Sequence, residues 1–269
     1  MAQKISRKFL ILIFVLFCIV FYLFWGPLFP WNPIKIGFTE IPATKATIYA
    51  TELTKKDSVL YHLDEIIQQE EDFHGIEYSD HIKIVVLSQE SNNRRYLPWL
   101  GGSGYSVSLS PLDVIYIGAN ARKYPEGIGP HLRHELSHLL IDQNTSFENA
   151  GKMQKQAWFV EGIAEFMSGH GFYNKNDLRR ILKSRSAPRP SLEGKIPQDM
   201  TWQELQLNYS YYKCFIEYLV DSRGIPKLRE YLKLYIEDPD NFANSFFKIY
   251  SVDLDTSLKL FNSELSVGE

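Results

Sequence analysis

The longest apolar run of the chain lies at its N-terminus and predicts a membrane-spanning helix. Residues 9–25 are all apolar, and no charged residue occurs from Phe9 through Ile34. A helix needs about 20 mainly apolar residues to cross a bilayer, with a lower limit near 17. Basic side chains before such a helix favour a cytoplasmic N-terminus, and here they are Lys4, Arg7 and Lys8.

A cleavable signal peptide is the competing interpretation of this run. It would have an apolar core of about 7–15 residues followed by a small-x-small cleavage site. Here the run is longer, and residues 26–31 read G-P-L-F-P-W without an Ala-x-Ala pattern. A lipoprotein signal ending at Cys18 is excluded because Phe17 is too large for the preceding position. We therefore predict a cytoplasmic segment at 1–8, a transmembrane anchor at 9–29 and one extracytoplasmic domain at 30–269 of a single-pass cell-membrane protein.

The hydrophobic pattern of the remaining chain alternates first between strands and helices and then becomes helical. Alternation of apolar and polar residues predicts a strand at 46–52, and short apolar stretches rich in β-branched residues predict strands at 82–87 and 114–117. Helical spacing predicts a helix at 58–71. Two further helices are predicted at 125–143 and 155–169, joined by a polar loop. Prolines predict a loop at 185–197, and the tail reads as helices at 209–222, 226–234, 241–250 and 254–265. The fold class is α+β, with a small mixed sheet packed on two helices and an all-helical C-terminal part.

Composition excludes some functions and says little about others. The net charge is −3 and no basic cluster occurs outside the N-terminus, so nothing indicates nucleic-acid binding. Cys18 lies in the membrane segment and Cys214 in a predicted helix, so the two cannot form a disulfide. An exported domain without disulfides fits a bacterial protein better than an animal secretory protein. No feature indicates an oligomeric state.

The predicted helix at 125–143 carries the motif H-E-x-x-H, at His134-Glu135-Leu136-Ser137-His138. Positions i and i+4 lie on one helix face, so both imidazoles can bind one metal ion at about 2.0–2.1 Å. Glu135 projects about 100° around the helix. That is the position of a general base acting on water activated by the metal. His131, one turn earlier, and His170, at a helix end, are interpreted as structural residues.

A third protein ligand is needed, because catalytic zinc usually has three protein ligands and one open position. A further histidine in H-E-x-x-H-x-x-G-x-x-H is excluded, because Ile141 and Asn144 occupy the Gly and His positions. The next predicted helix offers Glu161, with Glu165 on the same face. Glu161 can bind the metal, while Glu165 accepts a hydrogen bond from a ligand imidazole and fixes its tautomer.

The motifs H-E-L-S-H and W-F-V-E-G-I-A-E-F together resemble the gluzincin metallopeptidases, the thermolysin-like clan. The W-x-x-E-G-x-A-E form is similar to the aminopeptidase N-like branch and its small bacterial peptidase MA-like relatives. The resemblance covers about residues 104–231. It implies zinc ligands at His134, His138 and Glu161 and a catalytic base at Glu135. The stretch from His138 to Glu161 is longer than is usual in the clan.

The resemblance also implies a tyrosine that faces the metal from the start of the next helix. The matching residue is Tyr209, with Tyr211 and Tyr212 as alternatives, and a phenol there could stabilise an oxyanion. The G-x-M-E-N segment that binds the free amine in aminopeptidases has no counterpart upstream of His134. Residues 104–109 could instead form an edge strand that pairs with a substrate backbone, or a plain hairpin.

The sequence therefore predicts a membrane-anchored, Zn²⁺-dependent metallopeptidase acting on a peptide or protein substrate. Two alternatives stay open. The first is a non-catalytic binding or sensory module that keeps the peptidase fold, since function lies in the site rather than the fold. The second is hydrolysis of a non-peptide amide or an epoxide by the same site.

Overall fold

The computed structural model describes residues 7–26, 28–32, 34–96, 106–169, 171–184, 190, 192 and 200–267. Within these residues the chain forms a mixed α+β structure that is mostly helical. The strands are β1 (Thr39–Pro42), β2 (Ala46–Ala50), β3 (Ile82–Val86), β4 (Ser106–Leu109) and β5 (Val114–Ile117). The helices are α1 (Arg7–Trp25), α2 (Leu63–His74), α3 (Glu90–Tyr96), α4 (Gly129–Gln143), α5 (Phe147–Met153), α6 (Ala157–Ser168), α7 (Lys175–Lys183), α8 (Trp202–Arg223), α9 (Ile225–Glu237), α10 (Phe242–Tyr250) and α11 (Leu254–Val267).

The chain divides into two compact units. The first comprises Met1–Tyr61 and His81–Ile128, and the second His62–Asp80 and Gly129–Glu269. The predicted strands and α1 belong to the first unit. Both helices that carry the candidate metal ligands, α4 and α6, belong to the second.

The sheet of the first unit has the strand order β1-β2-β3-β5-β4. Its three central strands are parallel, and β1 and β4 pair antiparallel at the two edges. Central parallel strands are covered on both faces, which explains why β5 is fully buried and β3 nearly so. The mixed sheet is confirmed. β4 is an edge strand that also forms an antiparallel hairpin with β5, so the two interpretations of residues 104–109 both stay open. Residues 104 and 105 of that predicted strand lie outside the described residues, and β1 had not been predicted.

The helix α1 has 19 residues, a mean hydropathy of 2.6 and no buried residue. By length and composition it could be a membrane span or a signal sequence. The predicted sidedness, the domain boundaries and the bacterial origin stay predictions.

The second unit is a helical assembly in which α6 packs against both α4 and α8. Gly162 on α6 makes the close approach to α8 possible. A Cβ atom at this position would lie 2.9 Å from Cγ1 of Ile216 and 3.1 Å from the carbonyl oxygen of Tyr212. Large side chains fill the rest of this core, including Trp158, Phe159, Phe215 and Tyr231.

Several predicted boundaries were wrong. The polar loop after α4 contains the helix α5, which Ser146 caps by accepting a hydrogen bond from the backbone N–H of Asn149. The first helix of the tail, predicted to begin at Tyr209, begins at Trp202. The helix predicted at 58–71 is preceded by a 3-10 turn and begins at Leu63. Most of the predicted loop at 185–197 lies outside the described residues.

Candidate metal centre

His134 and His138 project from the same face of α4, as their i, i+4 spacing requires. Their Nε2 atoms lie 3.0 Å apart. Each side chain is 16% exposed, so the pair is half-buried but open to a small ligand. Two imidazole nitrogens placed this close on one helix can chelate a single ion.

Glu161 on α6 completes a group of three metal-binding atoms. Its Oε2 lies 3.5 Å from Nε2 of His134 and 3.3 Å from Nε2 of His138. The three ligand atoms are therefore 3.0–3.5 Å apart. This matches the roughly 3.3 Å between two ligand atoms that bind one tetrahedrally coordinated ion at about 2.05 Å. Oε2 is buried and accepts no hydrogen bond within the described part of the chain. A buried carboxylate oxygen that faces two imidazoles without a donor fits a bound cation.

The electrostatics of this group favour a negative carboxylate. Burial would raise the pKa of Glu161, but the two imidazoles outweigh it and hold that pKa below its usual range. Burial would lower the pKa of His138, whereas Glu161 and Glu135 raise it to about 9. Glu161 therefore carries its charge in the site, as a carboxylate ligand must.

Glu165 lies one turn beyond Glu161 and contacts the other side of a ligand imidazole. Its Oε1 is 3.4 Å from Nδ1 of His134, and its side chain is buried. A carboxylate at Nδ1 favours the tautomer that leaves Nε2 free to bind a metal. Burial, reinforced by Glu161, raises the pKa of Glu165.

Glu135 is buried beside the metal-binding group. Its carboxylate is among the charges that raise the pKa values of His138 and Tyr209, so it lies close to both side chains. A carboxylate near the three converging ligand atoms, but not among them, can serve as a general base.

Tyr209 reaches the same site from α8. Its ring centroid lies 6.3 Å from that of His134. Burial, together with the charges of Glu161 and Glu165, raises the pKa of its phenol well above the usual value. The phenol is therefore a protonated hydrogen-bond donor at neutral pH.

The position of Tyr209 within its helix differs from the expectation. α8 begins at Trp202, so Tyr209 lies about two turns into the helix. The start is fixed by a capping box, in which the side chains of Thr201 and Glu204 each accept a hydrogen bond from the other residue's backbone N–H. The pattern T-W-Q-E was the signal for this start. Tyr209 thus faces the metal-binding group from the body of a well-anchored helix.

The alternative tyrosines have partners elsewhere. Tyr211 donates a hydrogen bond to Asn262 at 2.9 Å and packs on Phe261. Tyr212 is buried and bonds Asn208 within the same helix at 3.3 Å. Neither ring packs against a ligand imidazole as that of Tyr209 does.

The sequence analysis did not predict a buried hydrogen bond that supports α4 from the side of α2. His74 on α2 is buried, and its Nε2 lies 2.9 Å from Oγ of Ser137. The signal was a histidine on the apolar stripe of α2, one turn after Glu70. His131 is not part of the converging group, and His170 lies outside the described residues.

Comparisons with known proteins give only a distant likeness. No protein-family model and no curated protein matches the chain. Among solved structures it is similar to native leukotriene A4 hydrolase from Saccharomyces cerevisiae, at 15% identity and a TM-score of 0.49, over 82% of this chain and 39% of that one. A second structure of the yeast enzyme gives 14% identity and a TM-score of 0.44, over 84% and 38%. The chain thus spans about two fifths of that enzyme's length.

Proposed function

We propose that the chain is a membrane-anchored zinc metallopeptidase of the gluzincin type, similar to the small bacterial peptidase MA-like proteins. The observation that carries this proposal is the convergence of His134, His138 and Glu161 on one point, with a buried Glu161 oxygen that has no hydrogen-bond donor. Two nitrogens and one carboxylate oxygen on neighbouring helices are the ligand set of a catalytic zinc site.

His134, His138 and Glu161 would hold the ion, and Glu165 would fix the His134 ring from the opposite side. Bound zinc would polarise a scissile carbonyl and lower the pKa of water to about 7. Glu135 would accept a proton from the attacking water and return it to the leaving amine. Tyr209 would donate a hydrogen bond to the oxygen on which negative charge develops. The reaction is hydrolysis of a peptide bond in a peptide or protein substrate.

The helix α1 supports a membrane location for this activity. It is long and apolar enough to span a bilayer, and none of its residues is fully buried. Basic residues before it favour a cytoplasmic N-terminus. The site would then act outside the cytoplasm, at the membrane surface.

The experiment is zinc analysis and peptide hydrolysis on the full chain purified in a non-ionic detergent. Wild-type protein should contain zinc in equimolar amount and cleave a mixed peptide library, with the cleavage abolished by a chelator and restored by zinc. Glu135→Gln should keep the zinc but lose hydrolysis by about 10²–10⁴-fold. Glu161→Gln should lose the zinc itself. Glu148→Gln, at an exposed carboxylate on α5, is the matched control and should behave like wild type.

The possible results separate the competing functions. Absence of zinc from the wild-type protein would refute the metal centre. Zinc without cleavage of any peptide would refute the peptidase and favour a non-catalytic module or a hydrolase that acts on other bonds. Cleavage by Glu135→Gln at the wild-type rate would refute the mechanism.

A further inference from the structure

A cleft opens at the C-terminal end of α1, far along the chain from the candidate metal ligands. It has a volume of about 380 Å³ and is lined by Phe21, Tyr22, Trp25, Arg94 and Arg95. The aromatic side chains come from the last two turns of α1, and the arginines come from α3 in the same compact unit. One wall is therefore apolar and aromatic, and the other carries two guanidinium groups.

The two walls are in contact through a cation–π interaction. The guanidinium carbon of Arg95 lies 5.2 Å from the ring centroid of Trp25 and 5.4 Å from that of Tyr96. This distance is within the roughly 6 Å at which such pairs attract. Arg95 is thus held over the end of α1 while its charge stays accessible, since both it and Trp25 are exposed.

Among the described residues, the arginines of this cleft have only a weak counter-charge: Lys123 is the main cause that lowers the pKa of Glu90, and Arg94 contributes less. The nearest carboxylate along α3 is that of Glu90, and it already pairs with Lys123 at 2.6 Å. No carboxylate of the described residues forms an ion pair with Arg94 or Arg95. Paired guanidinium groups recognise phosphate oxygens through bidentate hydrogen bonds, so the charge of the cleft suits a phosphate.

The length of α1 determines where this cleft would lie in a membrane. Nineteen helical residues extend about 28 Å, close to the roughly 30 Å hydrocarbon core of a bilayer. Tyr22 and Trp25 then lie at the boundary with the headgroups, where tyrosine and tryptophan are enriched. Arg94 and Arg95 line the same cleft as these aromatic residues, so in a membrane they would lie near the phosphates of the lipids.

We propose that this cleft binds the headgroup of an anionic phospholipid. Arg94 and Arg95 hold the phosphate, and the faces of Trp25 and Tyr22 contact the glycerol and the first methylene groups. The proposal requires α1 to lie in a bilayer, but it is independent of zinc binding and hydrolysis. A bound lipid would fix the sheet-containing unit against the membrane surface.

The test is native mass spectrometry of the full chain in a neutral detergent, titrated with phosphatidylglycerol, with phosphatidylcholine of the same acyl length, and with inorganic phosphate. Phosphatidylglycerol should bind at least tenfold more tightly than phosphatidylcholine, and inorganic phosphate should bind weakly because it lacks the apolar contacts. Arg94→Gln/Arg95→Gln should weaken phosphatidylglycerol binding by roughly 25-fold, from about fivefold for each arginine near an anionic surface. Trp25→Leu, which keeps the helix apolar, should weaken it as well.

The matched control is Arg180→Gln/Arg223→Gln, which removes the same charge from exposed positions in the other unit. It should bind phosphatidylglycerol like the wild type, and circular dichroism should show that both double variants are folded. Equal binding of the two lipids, or unchanged binding by Arg94→Gln/Arg95→Gln, would overturn the proposal. Equally tight binding of inorganic phosphate would show an anion site without lipid recognition and would also overturn it.

Discussion

Nε2 of His74 lies 2.9 Å from Oγ of Ser137, which stands on α4 between the metal-binding histidines. The other ring nitrogen, Nδ1, lies 2.7 Å from the carbonyl oxygen of Glu70. Because a carbonyl only accepts, Nδ1 carries the proton and Nε2 accepts a hydrogen bond from the Ser137 hydroxyl. Burial lowers the pKa of His74 to about 4, so the ring is neutral under ordinary conditions. The ligand helix is thus fixed to α2 by a buried, uncharged hydrogen bond.

We expect Ser137→Ala to lower the free energy of unfolding by about 1–3 kcal/mol, because it leaves the buried Nε2 of His74 without a donor. Urea unfolding of the full chain in detergent, followed by near-ultraviolet circular dichroism, would measure the loss. Ser266→Ala, at an exposed serine on α11, is the control and should change stability by no more than about 0.5 kcal/mol. Equal stability of the two variants would show that the His74 contact contributes nothing.

Tyr209→Phe should lower kcat for peptide hydrolysis by about 10²-fold and leave zinc content and KM near the wild-type values. The phenyl ring keeps the packing on His134, and only the hydroxyl that would stabilise the oxyanion is removed. Steady-state kinetics with a cleaved peptide would measure the effect.

Tyr211→Phe provides the comparison for this variant. Tyr211 lies on the same helix as Tyr209, but its hydroxyl donates a hydrogen bond to Asn262 of α11. The substitution should cost about 1 kcal/mol of stability and no activity. Equal kcat values for the two variants would exclude Tyr209 from the reaction.

Gly162→Ala should destabilise the second unit by about 1–3 kcal/mol despite the higher helix propensity of alanine. The added Cβ would lie 2.9 Å from Ile216 and 3.1 Å from the Tyr212 carbonyl, so α6 and α8 would have to separate. Gly151→Ala on α5 is the matched substitution, because its Cβ would meet no atom within 4 Å. It should stabilise by up to about 1 kcal/mol. Thermal unfolding of both variants tests the contrast, and a stabilised Gly162→Ala would contradict it.

Glu70 should make the stability of the protein fall with rising pH. Its carboxyl group is fully buried, and burial raises its pKa from 4.5 to about 8, although Arg133 opposes the shift. Between these two pH values the folded protein keeps a proton that the unfolded chain has lost, so folding becomes less favourable as pH rises. At about 1.4 kcal/mol per pH unit, the loss is at most about 5 kcal/mol and is complete above pH 8.

Glu70→Gln removes this titration. The variant should match the wild type near pH 4.5 and be several kcal/mol more stable at pH 9, as measured by urea unfolding at a series of pH values. His74 acts in the opposite sense, because its lowered pKa costs stability as pH falls from 6.5 to about 4, but it is present in both proteins. A pH-independent difference between the two proteins would contradict the prediction.

The elements predicted correctly are those whose pattern is local. β5 was predicted with its observed bounds, and the strands β2 and β3 to within two residues, because β-branched residues dominate β3 and β5 and the pattern of β2 alternates. The strand β1 was missed because it has only four residues, mostly exposed, and is defined by its pairing with β2. The helix α5 was missed because its polar composition resembles a loop. Tertiary contacts stabilise this helix, including hydrogen bonds that the Asn149 side chain donates to the last two carbonyl oxygens of α9.

The sequence by itself determined the pairing of His134 with His138, because helical spacing alone brings positions i and i+4 to one face. It also placed Glu161 and Glu165 on a common helix face. Only the tertiary structure decided that Glu161 meets both imidazoles, that Tyr209 rather than Tyr211 faces them, and that His74 supports their helix from behind. The Tyr209 contact depends on how closely α6 approaches α8, which the packing around Gly162 sets. The other contacts depend on how α4 packs against α6 and α2, and none of them follows from a pattern within one segment.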